Sequence, residues 1–119
     1  MPVVFIVSRE WDLRGAVRAE LREAGIEALG LETTEDMAAI IAGGIAPALL
    51  VLDAEELHKA ETCQALQNLS SRVPILVVES RLNPAPPLPC AQTILRPVQV
   101  KEIVARVLAA LRKPSRNRS

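Results

Sequence analysis

Four polar stretches, each placed directly after an apolar run, hold the residues of this chain that can do chemistry. Asp53 closes Ala48-Leu49-Leu50-Val51-Leu52-Asp53, and Ser8-Arg9-Glu10 follow Val3-Val4-Phe5-Ile6-Val7. Glu79-Ser80 follow Ile75-Leu76-Val77-Val78, and Arg96-Pro97 follow Thr93-Ile94-Leu95. Continuous apolar runs this short, bounded by Pro47, Pro74 and polar residues, read as strands buried on both faces of a sheet. In such a sheet the ligand-facing side chains stand beyond the carboxyl ends of the strands. A carboxylate at that edge can be a covalent nucleophile or a ligand for a hard cation. It can equally be a helix cap or a solvated strand end, so the role of Asp53 turns on what the other three stretches bring to it.

Little else in the chain points to a site. His58 stands without a second histidine and reads as solvent-facing on a helix. Cys63 and Cys90 are too few and too far apart for a disulfide framework or a zinc site, which favours free thiols and a cytoplasmic protein. The glycines, Gly15, Gly25, Gly30 and Gly43-Gly44, have neither the spacing nor the strand-to-helix placement of a phosphate loop. Fourteen basic and fourteen acidic side chains balance, so no nucleic-acid-binding face is expected. The apolar run from Val3 to Val7 is far too short to span a membrane.

Five strands and the helices between them must position these residues. Leu13, Val17, Leu21 and Ala24 recur at helical spacing, with Asp12 placed to cap that helix and Gly25 to stop it. Ile26 to Leu31 is a weaker strand. Thr33-Thr34-Glu35-Asp36 signals a helix start, Met37, Ile40 and Ile41 form its inner stripe, and Gly43-Gly44 ends it. Glu56 to Ser70 reads as helical, with Leu57, Ala60, Leu66 and Leu69 roughly periodic. Pro84, Pro86, Pro87 and Pro89 forbid an interior helix between the fourth and fifth strands. The last helix carries the clearest stripe: Val100, Ile103, Val104, Val107, Leu108 and Leu111. Strand and helix alternation of this kind implies right-handed crossovers and a three-layer, doubly wound α/β domain with a parallel sheet. One domain over 1–112 is expected, with Arg112 leading into a basic tail or linker over 113–119.

In order and spacing these fragments resemble the receiver domain of bacterial response regulators, from Pro2 to Arg112. The likeness rests on the first strand with its three-residue polar end, "LVLD" at Leu50 to Asp53, "VPILVV" at Val73 to Val78, and "ILRPV" at Ile94 to Val98. It implies a five-stranded parallel sheet in the flavodoxin-like order 2-1-3-4-5, here with the fourth helix replaced by the proline-rich loop. In that family a histidine kinase phosphorylates the aspartate ending the third strand, and Asp53 matches it. The acidic pair that holds Mg²⁺ falls on Ser8 and Arg9, so both carboxylates are lost. The hydroxyl that binds the phosphoryl group falls on Glu79, with Ser80 one residue later. The lysine position holds Arg96, followed by Pro97 as the pattern requires, and Thr93 stands where an aromatic switch residue is usual. Ala54-Glu55-Glu56 replaces the Met-Pro and Asp-Gly turn.

These departures imply a degenerate pocket. Mg²⁺ prefers near-octahedral oxygen ligands supplied by one or two carboxylates. A guanidinium opposes it: unit charges about 4 Å apart interact by about 4 kcal/mol at an effective dielectric near 20. The formal charges of Asp53, Arg9, Glu79 and Arg96 cancel, so the matched set has no cation deficit. The reading is a non-catalytic pseudo-receiver with no cofactor, in which Arg9 or Arg96 pairs with Asp53 and Glu79 in place of a metal. It would act through a protein partner or a fused effector domain, with a homodimer through the last helix, probed at Val107. Two alternatives stay open. One is a functional receiver phosphorylated on Asp53, with Mg²⁺ bound through Glu10. The other is a small-molecule-binding flavodoxin-like domain.

Overall fold

The sheet is built from strands whose residues are apolar on both sides, and its topology is the one the alternation demands. The computed structural model describes residues 2–57, 66–82, 84–85, 88 and 91–112. In chain order the elements are β1 (Val3–Val7), α1 (Trp11–Glu23), β2 (Glu27–Leu31), α2 (Thr34–Ala42) and β3 (Leu49–Asp53). A 3-10 turn, Ala54–Leu57, leaves β3, residues 66–70 are helical (α3), and β4 (Ile75–Glu79), β5 (Ala91–Leu95) and α4 (Val100–Arg112) complete the chain. All five strands are parallel, in the order β2-β1-β3-β4-β5. Val7 pairs with Leu52 and Asp53 with Val78, so the polar ends of β1, β3 and β4 fall along one edge.

Alternation of side chains across the strands divides the core in two. Val4, Ile6, Val51 and Val78 face Val17 and Leu21 of α1 and Ile103 and Val107 of α4. Phe5, Val7, Leu50, Leu52 and Val77 face Met37 of α2 and Leu66 of α3. Two helix layers around one sheet give the three-layer arrangement. Every residue of β3 is buried, which is why that strand reads as an unbroken apolar run.

Several boundaries have local causes, and some differ from the sequence reading. Thr33 caps α2, its Oγ1 accepting from the Asp36 amide at 3.1 Å. Asp12 does not cap α1: Glu10 holds that position without a side-chain cap bond, and Asp12 lies in the first turn. There its charge still favours the helix N-terminus. Gly25 ends α1 with φ of +83°, a conformation that costs glycine nothing. β5 begins at Ala91, two residues before the apolar signal, because an edge strand needs few buried side chains. The helix expected from Glu56 to Ser70 is described only as the 3-10 turn and residues 66–70; the remainder, with His58 and Cys63, lies outside the described residues. Pro84, Ala85 and Leu88 carry no helix, whereas Cys90 and the tail 113–119 lie outside the described residues.

Val107 is wholly buried against the sheet, so it cannot be a dimer contact. The exposed positions of α4 include Lys101, Glu102, Ala105, Arg106 and Ala109. No helix among the described residues is long and apolar enough to cross a membrane.

Candidate functional site

Asp53 ends β3 with its side chain 10% exposed, and every bond to it comes from a different segment. Its Oδ1 accepts from the Glu55 backbone amide at 3.1 Å, within the turn that follows the strand. Its Oδ2 accepts from Ser8 Oγ at 3.0 Å and from Arg96 Nη2 at 3.1 Å. Ser8 Oγ in turn accepts from the Glu10 amide at 3.1 Å. The Glu10 carboxylate closes the circuit on Arg96, with Oε2 2.6 Å from Nη2 and Oε1 accepting from Nη1 at 3.2 Å. Asp53, Ser8, Glu10 and Arg96 therefore form one closed ring of hydrogen bonds across the ends of β1, β3 and β5. The fork of Arg96 on Glu10 is the two-point geometry that guanidinium and carboxylate favour.

Local packing explains why Ser8 is held so well. The Ser8 amide donates to the Leu31 carbonyl at 3.0 Å, and the Ser8 carbonyl accepts from Arg14 Nη1 at 2.7 Å. Arg14 lies across Gly30 of β2, where an added Cβ would stand 3.0 Å from Arg14 Cγ. A side chain at position 30 would require Arg14 to shift by a few tenths of an ångström.

Two of the residues matched to the pocket point elsewhere. Arg9 turns away from Asp53, and its Nε donates to Glu56 Oε2 at 3.2 Å. Glu79 also turns away: its Oε1 accepts from the Ala85 amide at 2.8 Å, tying the end of β4 to the proline-rich segment. Strand alternation is the reason, since Val78 and Ser80 share one face and Glu79 the other. Ser80 accordingly lines the cavity beside Asp53, together with Glu10, Glu55, Val78 and Arg96; its volume is about 150 Å³. Arg96 pairs with Asp53 and Glu10, and Glu79 is replaced in that role by Glu10. Pro97 follows through a cis peptide bond and is exposed, as is Thr93 on β5. A second cavity of about 300 Å³, lined by Glu10, Trp11, Asp12, Leu13 and Arg96, adjoins the first, and Trp11 is 71% exposed there.

The sequence reading passed over Glu56. Its carboxylate is 7% exposed and accepts from the Thr34 amide at 3.3 Å as well as from Arg9. The signal available was the unexpected acidic pair Glu55-Glu56 opposite an unexpected arginine at position 9.

No protein-family model and no curated protein sequence matches this chain. Solved structures do. The N-terminal domain of a response regulator/sensory box/GGDEF three-domain protein from Carboxydothermus hydrogenoformans aligns with a TM-score of 0.74 at 20% identity, covering 92% of this chain and 94% of that one. A response regulator receiver protein from Burkholderia phymatum aligns at 0.70 and 17% identity, covering 98% and 99%. The chain adopts the receiver fold. Another neighbour at 16% identity and a TM-score of 0.72, described as belonging to streptococcal redox sensors evolved from two-component response regulators, is covered over 52% of its length and 94% of this chain. At these identities the likeness establishes the receiver fold and leaves the chemistry to the side chains.

The Mg²⁺ that the receiver resemblance implies fits this donor set poorly. Asp53 Oδ2 already accepts two hydrogen bonds and Oδ1 one, while both Glu10 oxygens face Arg96. Ser8 and Arg9 supply no carboxylate. Among the described residues no group of three or more His, Cys, Asp or Glu side chains is arranged to hold a metal ion.

Proposed function

We propose that this chain is a receiver-like signalling domain that acts through protein contact and is independent of phosphorylation at Asp53. The observation that carries the reading is Arg96, whose guanidinium spans Asp53 and Glu10 where a receiver of ordinary type would hold a divalent cation. A fixed cation differs from an exchangeable one in consequence. Phosphotransfer to an aspartate needs its oxygen free as nucleophile and needs positive charge on the incoming phosphoryl oxygens. Here the guanidinium, along with Ser8 Oγ, is committed to the would-be nucleophile itself. A receiver fold with a different input has a parallel in the redox-sensor description of the streptococcal neighbour. The partner is then a protein or a fused effector domain, and the domain itself is not an enzyme.

A receiver still phosphorylated on Asp53 is the second reading, and one observation favours it. Three carboxylates, Glu10, Asp53 and Glu55, line the same cavity against one arginine, so the lining is formally negative by two charges. Release of Arg96 would uncover a cation site. The third reading is a small-molecule binder: the cavity beside Asp53, about 150 Å³, is below the usual 300–1,000 Å³ of ligand pockets, and the adjoining one, about 300 Å³, only reaches its lower bound.

Incubation of the chain with acetyl phosphate and Mg²⁺, followed by intact mass measurement, separates the first two readings. The protein is expected to remain unmodified. A phosphoryl adduct that vanishes in Asp53→Asn would establish the second reading instead.

A further inference from the structure

Resting on that reading of the site, we propose that Glu56 is its positioning residue, the anchor that fixes the orientation of the Asp53 carboxylate through the turn between them. Glu56 lies in the 3-10 turn Ala54–Leu57, and its carboxylate is 7% exposed. A buried carboxylate is stable only when paired and hydrogen-bonded. Glu56 has both kinds of support. Oε1 accepts from the amide of Thr34, the first residue of α2, where the helix N-terminus favours negative charge. Oε2 accepts from Arg9, 47 residues away in the β1–α1 connection. One side chain thus ties the turn after β3 to two other segments of the site edge.

The consequence reaches Asp53 through the backbone. Glu55, the residue before Glu56, gives its amide to Asp53 Oδ1 at 3.1 Å. With Oδ1 held, Oδ2 is the oxygen that Ser8 and Arg96 share. A carboxylate with one of its two oxygens fixed has its plane limited, so the turn sets the direction in which Arg96 is received. Arg9 is accordingly not a spare pocket charge. It neutralises Glu56, and a carboxylate at position 9 would meet Glu56 before it could join Asp53.

Amide hydrogen exchange on the ¹⁵N-labelled full chain tests this, because the Glu55 amide reports the bond to Asp53 directly. In Glu56→Ala the Glu55 amide is expected to lose about tenfold or more of its protection while the amides of β1 keep theirs, a local opening without global loss. The neutral pair Arg9→Gln/Glu56→Gln, which can restore an amide-to-amide bond, is expected to recover most of that protection. Val17→Ala, a core truncation on the other side of the sheet, controls for stability alone. Unchanged Glu55 protection in Glu56→Ala, or an equal loss in Val17→Ala, would overturn the assignment. Should Glu56→Ala not fold, Glu56→Ser, whose short hydroxyl reaches neither Thr34 nor Arg9, is measured instead, and retention of full Glu55 protection there would overturn it equally. Phosphorylation of the parent chain by acetyl phosphate would count against the reading of the site and not against this exchange result, so the two failures are distinguishable.

Discussion

Replacing Arg96 with alanine is expected to convert a domain indifferent to Mg²⁺ into one that Mg²⁺ stabilises. Without the guanidinium, Asp53 and Glu10 lose the cation they share. Removing a charge-assisted hydrogen bond to a largely buried carboxylate costs about 1–3 kcal/mol. A fall in Tm of about 4 °C per kcal/mol is the scale for a domain of this size. The same substitution leaves Asp53, Glu10 and Glu55 lining one cavity without a cation among them, and one or two carboxylates are enough to hold Mg²⁺. A ligand that binds only the folded state stabilises it by about 2.7 kcal/mol at a concentration one hundred times its Kd. Saturating Mg²⁺ should therefore return most of the lost Tm in Arg96→Ala and leave the parent unmoved. Thermal unfolding of both proteins with and without the ion decides it; an equal response in parent and variant would show that Arg96 does not hold the cation's place.

Val107→Glu should be among the most destabilising substitutions in α4. Val107 is wholly buried, packed with Ile103 against Val51, Val78 and their neighbours. No charged partner belongs to that cluster, and an uncompensated buried charge costs about 3–5 kcal/mol. Against a total of about 5–15 kcal/mol for a domain, that is enough to bring unfolding near working conditions. Denaturant titration should show a midpoint shifted strongly downward, whereas a midpoint close to the parent's would mean that α4 is not docked as described. Self-association is better examined at Ala105→Glu, an exposed position on the same helix, with light scattering as the readout.

The contrast between those two positions shows what was legible in the sequence. β1, β3 and β4 are continuous apolar runs because both faces of a central parallel strand are covered, and their order with the helices fixed the topology. β2 and β5 are edge strands with intermediate or exposed residues, so their signals were faint and β5 was read too short. The stripe of α4 placed Val107 on a helix, yet whether a periodic apolar residue meets the sheet or a partner is a tertiary fact.

The site was legible as a set of neighbours but not as a set of directions. Strand ends placed Ser8, Asp53, Glu79 and Arg96 along one edge. Which arginine reaches Asp53 depends on where each backbone aims its side chain, and Arg9 and Arg96 diverge. Glu79 and Ser80 differ by one residue and so face opposite ways, a consequence of the pleat that alternation could have supplied. Glu56 was hidden because its partners, Thr34 and Arg9, are distant in the chain, and only the folded arrangement brings them together.

A crystal structure of the chain grown with Mg²⁺ in excess examines the ring of Asp53, Ser8, Glu10 and Arg96 most directly. Arg96 should remain bonded to Asp53 and Glu10, with no metal coordinated to Asp53. A Mg²⁺ ion bound to the Asp53 carboxylate, with the Arg96 side chain swung out into solvent, would contradict the account.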